Sequence, residues 1–263
     1  MVYAERMEHF QLSDLAPRNL RRTWREGGPV ITAAILVLCV LVWLIEVISH
    51  FIAPQFSELF IAYGVFEPQL FHMLPWTAVT CAFYHALDPL HILGNMMCLV
   101  LVGPLLERLY GHIVFAWIYL LSAVGGSVGV SLSALISTRF FGPNSSGALI
   151  SVYGASGAIF GLFGALLMVY RGQMTSLLIL LALNFALPFF DSQIAWQAHI
   201  GGFVIGLLFA FVLSRTTRWT RWNRNANRRM NRKMSFTGFA SIWALALVVL
   251  EIGALVGLTS ALV

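Results

Sequence analysis

Gly154-Ala155-Ser156-Gly157-Ala158-Ile159-Phe160-Gly161 opens an apolar segment that runs to about Tyr170. Glycines recur at 157, 161 and 164, on one face of a helix, and Ser156 stands at its head between Gly154 and Gly157. Whether this is a packed helix of a soluble core or a membrane span is decided by what surrounds it.

The chain has 263 residues, 59% of them hydrophobic and 10% charged. A soluble domain carries about a quarter charged residues, so this composition indicates a polytopic membrane protein. The apolar runs follow one another closely, without an insert large enough for a soluble domain, so they read as one helical bundle. Cys39, Cys81 and Cys98 form no CxxC pair and read as small apolar residues. The first apolar run is too long for a signal-peptide core.

Seven spans are expected, over residues 30–52, 90–107, 112–136, 152–170, 175–190, 194–213 and 239–262. Residues 1–28 form a polar basic leader and 215–238 a basic linker; the core between them covers 29–214, and 239–263 hold the seventh helix. From Phe51 to Leu90 there is no lysine or arginine but many aromatic residues, among them Phe56, Phe60, Tyr63, Trp76 and Tyr84. Such a stretch suits the headgroup boundary on the non-cytoplasmic side, as a loop with short helices.

Basic residues set the orientation. With the amino terminus inside, fifteen of the sixteen lysines and arginines fall on the cytoplasmic side, leaving Arg139 outside. The carboxyl terminus is then outside, and the cell membrane is the expected location. The linker carries Arg215, Arg218, Arg221, Arg224, Arg228, Arg229, Arg232 and Lys233 flush against a span, with Trp219 and Trp222 among them. This pattern suits anionic lipid headgroups better than nucleic acid, and no nucleic-acid partner is expected.

In this topology the second, fourth and sixth spans all run inward, so their starts share one membrane face. His91 and Asn95 stand at the start of the second, Ser156 near that of the fourth and His199 near that of the sixth. At 1.5 Å per residue, these side chains lie roughly 5 to 10 Å below the outer ends of their helices. Gly157, Gly161 and Gly164 on one span and Gly202, Gly206 and Ala210 on another are spaced for close backbone approach in lipid. That seam puts Ser156 and His199 within reach of each other. His91 and Asn95, four apart, share a face that should point into the bundle.

Each feature alone has a bland reading: a small packing residue, a satisfied polar histidine, a helix brace. Together they suit nucleophilic catalysis. A serine hydroxyl needs a base, His199 is the candidate, and no acid stands beside it in its span, so a Ser-His dyad is expected. His91, Asn95 and the Ser156 N–H are the candidate oxyanion donors.

These motifs, GASG followed by Ala-Ile-Phe-Gly, HxxxN at His91–Asn95 and AHxxG from Ala198 to Gly202, resemble the rhomboid intramembrane serine proteases over roughly residues 30–214. The resemblance implies an all-α rhomboid-like bundle of six transmembrane helices plus one C-terminal helix. It implies Ser156 as nucleophile, His199 as base, and His91 and Asn95 in the oxyanion hole, with Gly154, Gly157, His85 and Phe160 in support. No metal or cofactor is implied. The implied partners are membrane proteins with a cleavable transmembrane helix, cut near the outer face, and the loop of residues 187–195 corresponds to a cap over the site. Glu107 resembles a structural glutamate at the cytoplasmic end of the second span.

The sequence departs from the family pattern in three places. Trp76 is followed by Thr77 rather than arginine, His85 and His91 are one residue further apart than is common, and Phe160 replaces a tyrosine. The rival reading is an inactive rhomboid-like protein, or a transporter that binds a segment or an ion in the same cavity. A transporter of that kind would show duplicated, interrupted helices, and the sequence shows none. Two further acids lie in spans, Glu46 and Glu251; each must face protein or be neutral.

Overall fold

The computed structural model describes residues 17–169, 195–226 and 236–262. Its helices are α1 (Pro17–Arg25), α2 (Val30–Ile52), α3 (Pro54–Ala62), α4 (Thr77–Thr80), α5 (Pro89–Tyr110), α6 (His112–Phe141), α7 (Ser156–Val169), α8 (Trp196–Ala226) and α9 (Phe236–Ser260). Single 3-10 turns lie at Pro68–Leu70 and Cys81–Phe83. Among the described residues the only extended pairing is one bridge, Phe66 with Val152. The protein is an all-α membrane bundle. The helices α2, α5, α6, α9 and the Trp196–Arg215 part of α8 are long and apolar enough to cross a membrane, and α7 is a shorter apolar helix. The expected span over residues 175–190 and most of the loop of residues 187–195 lie outside the described residues.

Local chemistry accounts for where the helices begin and end. Asp88 caps α5, its carboxylate accepting from the Leu90 N–H at 3.0 Å, and Pro89 follows at the first helical position. The apolar sequence is interrupted at Glu107-Arg108, and Gly111, with a φ of 82°, separates α5 from α6. At that junction Glu107 is 1% exposed and stands against the start of α2. It accepts from the Ile31 and Thr32 N–H groups, each at 2.8 Å, and from the Thr32 hydroxyl at 2.7 Å. These N–H groups have no partner within α2, so Glu107 caps that helix from another, as the expected brace does. His112 then links Glu107 (2.6 Å) to the Trp24 carbonyl of α1 (2.8 Å).

The core is the contact of α6, α7 and α8. Residues Gly157 to Leu166 are all buried, so α7 is the central helix and is apolar on every side. On α8 the buried positions Ala198, His199, Phe209, Ala210 and Leu213 repeat at helical spacing, while Trp196, Ile200, Val204 and Leu208 face outward. A methyl group placed on Gly202 would overlap the Gly157 carbonyl, and one on Gly206 would overlap that of Gly161. The seam expected from those glycines is therefore a backbone-to-backbone contact. Its counterpart on α6 is Gly125 with Gly129, which meet Gly201 in the same way.

Helix α9 lies at the edge, packed on α6. Ala240 and Ala244 enter the core and Trp117 donates to the Ser241 hydroxyl at 3.2 Å, while Ile242, Leu245, Val249 and Leu250 stay exposed. Glu251 is turned inward at 4% exposure and has no hydrogen bond among the described residues. The aromatic loop holds α3, α4 and both 3-10 turns, as expected of short helices. Within it Thr77, which follows Trp76, is buried and closes a turn onto the Leu74 carbonyl at 2.6 Å.

Candidate active site

One expectation needs correction at the head of α7. The helix begins at Ser156, not near Val152, because Gly154 has a φ of 126°, which no helix accommodates and which strongly favours glycine. Residues before it run as extended chain: Val152 pairs with Phe66 in both directions at 2.8 and 3.0 Å, and the Gly154 N–H donates to the Cys81 carbonyl at 2.9 Å. Ser156 is thus the first residue of α7, where its own N–H has no carbonyl one turn back to bond.

His199, on the first turn of α8, is 5% exposed and its Nε2 lies 3.0 Å from the Ser156 Oγ. Its ring lies flat on Phe160, centroids 4.1 Å apart and planes within 9°. Among the described residues its Nδ1 has no hydrogen-bond partner. The close approach of α7 and α8 is what allows the 3.0 Å contact: Gly157, next to Ser156, sits against the Ala198 backbone, next to His199.

His91 comes from the first turn of α5. The Ala86 N–H donates to its Nδ1 at 3.2 Å. A nitrogen that accepts carries no proton, so the neutral ring bears its proton on Nε2. That Nε2 is turned to the Gly154 backbone: a Cβ at Gly154 would stand 3.1 Å from it and 3.7 Å from the Ser156 Oγ. Asn95 is buried, and its amide donates to the His91 carbonyl at 2.9 Å, which uses one of its two N–H bonds. His85 is buried at 3% exposure, its ring centroid 5.4 Å from that of His91. Burial, then the neighbouring His91, lowers its pKa to about 4.

A cavity of about 20 Å³ adjoins Ser156, lined by Cys81, Gly126, Ser127, Gly154, Gly157 and Ala198 among others. That is room for about one water molecule. The arrangement joins a serine hydroxyl, an imidazole in hydrogen-bonding reach and an N–H donor from a second imidazole at one helix N-terminus. Groups so placed can take a proton from the hydroxyl and stabilise negative charge beside it.

A family model described as the Rhomboid domain matches residues 73–216, more than half of the chain. The chain belongs to the rhomboid family. RHOMBOID-like protein 4 of Arabidopsis thaliana is 34% identical over 200 residues, covering 70% of this chain and 46% of that protein. RHOMBOID-like protein 1 of the same plant is 36% identical over 167 residues, 59% and 38% of the two chains. Rhomboid protease GluP of Bacillus subtilis is 29% identical over 198 residues, 72% and 36%. The chain thus spans less than half the length of these relatives. This rhomboid is a multi-pass integral membrane protein in a family that includes serine proteases.

Sequence reasoning missed two parts of the site's support. The glycines of α6 could have been found by the four-residue spacing of Gly125 and Gly129 that exposed the other two stripes. The contact of Ala86 with His91 had no such signal, because it is made by a backbone N–H.

Proposed function

We propose that this rhomboid is an intramembrane serine endopeptidase that cleaves transmembrane segments of other membrane proteins near the outer face. The observation that carries this reading is the 3.0 Å contact between His199 Nε2 and Ser156 Oγ. In this reading Ser156 attacks the scissile carbonyl as His199 Nε2 takes its proton. The negative charge on the carbonyl oxygen meets the Ser156 N–H, the His91 Nε2–H and the second amide hydrogen of Asn95, at the positive end of α7. His199 then gives the proton to the leaving amine, and a water enters to release the acyl group by the same steps reversed. The dyad needs no third residue when stacking on Phe160 orients the imidazole.

The cavity beside Ser156 suits a water or a small side chain at the cleaved bond. The amino terminus is cytoplasmic and the carboxyl terminus outside, in the cell membrane, with the linker from Arg215 to Lys233 against anionic headgroups. The test is labelling of the detergent-purified protein with a fluorophosphonate, together with cleavage of a transmembrane substrate. Ser156→Ala and His199→Ala should each abolish both; labelling that persists in Ser156→Ala puts the nucleophile elsewhere.

A further inference from the structure

Two side chains of α2 grip the loop that governs His91. Trp43 and Glu46 are three residues apart on α2 and so share a face. Trp43 Nε1 donates to the Ala86 carbonyl at 3.0 Å, and Glu46 Oε2 accepts from the His85 N–H at 3.3 Å. These two bonds hold the peptide units on either side of a third, the one whose N–H is that of Ala86. That N–H is the donor to His91 Nδ1, at 3.2 Å. Glu46 is 2% exposed, whereas Leu44, Ile45 and Ile48 on the same helix are 40%, 43% and 53% exposed. A carboxyl within a lipid-facing span is thus turned wholly inward, onto the loop.

The two ring nitrogens of a neutral imidazole exchange roles unless a neighbour fixes one of them. With Nδ1 protonated, Nε2 would present a lone pair toward Ser156 and repel an oxyanion instead of donating to it. We propose that Trp43 and Glu46 are positioning residues that hold the Ala86 N–H on His91 Nδ1 and thereby keep His91 in the tautomer whose Nε2–H faces Gly154 and Ser156. Neither touches substrate; both act through the loop and then through His91. The catalytic consequence rests on the protease reading given above, but the tautomer does not.

The experiment uses the full chain in detergent micelles, with histidine ring nitrogens labelled for NMR. The parent should show His91 as one tautomer, protonated at Nε2. In Trp43→Phe combined with Glu46→Leu both tautomers should appear, and kcat on a transmembrane substrate should fall about tenfold, the loss of one to two hydrogen bonds, while KM changes less than about twofold. Glu46→Gln, which keeps an acceptor oxygen, should recover most of the loss caused by Glu46→Leu. In a His91→Ala background the same pair of substitutions should cost no more than about twofold, because their effect passes through the ring already removed. If the double variant does not fold, Trp43→Phe alone removes one donor and keeps the ring, and should still mix the tautomers. A single unchanged His91 tautomer in these variants, or losses that multiply on the His91→Ala background, would overturn the proposal. Proteolysis that survives Ser156→Ala would instead defeat the protease reading and leave the tautomer result standing.

Discussion

The His199 ring lies on the Phe160 ring at 4.1 Å and 9°, and this contact, together with the hydrogen bond to Ser156, fixes the imidazole. His199 Nδ1 has no partner among the described residues, so in the proposed protease reading the stack is the contact that takes the orienting role of a hydrogen-bonded acid. A stacked aromatic pair contributes about 0.5–1.5 kcal/mol beyond simple burial. Phe160→Leu keeps apolar volume but loses the flat face, so kcat should fall about two- to tenfold with KM little changed. Steady-state kinetics on a reconstituted transmembrane substrate checks this, and an unaltered kcat would show that the stack orients nothing.

Gly154→Ala should be far more damaging to activity than to stability. Its φ of 126° is strained for any side chain, at a cost of roughly 1–3 kcal/mol, and the added methyl would press on His91 Nε2 at 3.1 Å. Displacing one donor of an oxyanion site lowers rate by about 10²–10³. Cleavage and fluorophosphonate labelling should both drop by that order while the protein still melts cooperatively. Retained cleavage would mean that His91 does not act at this point.

The long spans were legible because a membrane helix is written in hydropathy alone: the expected start of the first span, Val30, and its end, Ile52, are the ends of α2. The nearness of Ser156 and His199 was legible too, since the glycine stripes beside them are spaced for close backbone approach, and the two residues lie 3.0 Å apart. The true start of α7 was not. A positive φ is a property of the folded loop, and the sequence shows only that Gly154 permits it. Nor could hydropathy show that Trp43 and Glu46 face a backbone segment some forty residues later, because that contact depends on how the chain between α2 and α5 folds back.

The glycine seam gives a paired stability prediction. A Cβ on Gly206 would overlap the Gly161 carbonyl, so Gly206→Ala forces α7 and α8 apart and should destabilise by about 1–3 kcal/mol or more. Gly257 on α9 has open space where a Cβ would go. Gly257→Ala should therefore be neutral or stabilising by up to about 1 kcal/mol. Thermal unfolding in detergent distinguishes them, and equal melting temperatures for the two variants would contradict the close approach of the two backbones.

Acidification should weaken the protein through His85. Burial, followed by repulsion from His91, lowers its pKa from 6.5 to about 4, against the opposing pull of the Phe83 carbonyl 3.3 Å from its Nδ1, while the Glu46 carboxyl accepts from its backbone N–H. Folded protein therefore keeps His85 neutral down to about pH 4, whereas the unfolded chain takes up a proton near 6.5. Between those values the unfolded state binds more protons, so stability falls as pH drops from 6.5 toward 4 and levels off below that. The full effect is on the order of 3 kcal/mol. His85→Gln removes the titrating group, so its stability should change less than the parent's between pH 7 and pH 4.5, by about 2 kcal/mol. Denaturant unfolding at the two pH values measures the difference, and parallel losses in parent and variant would assign the acid sensitivity to another group.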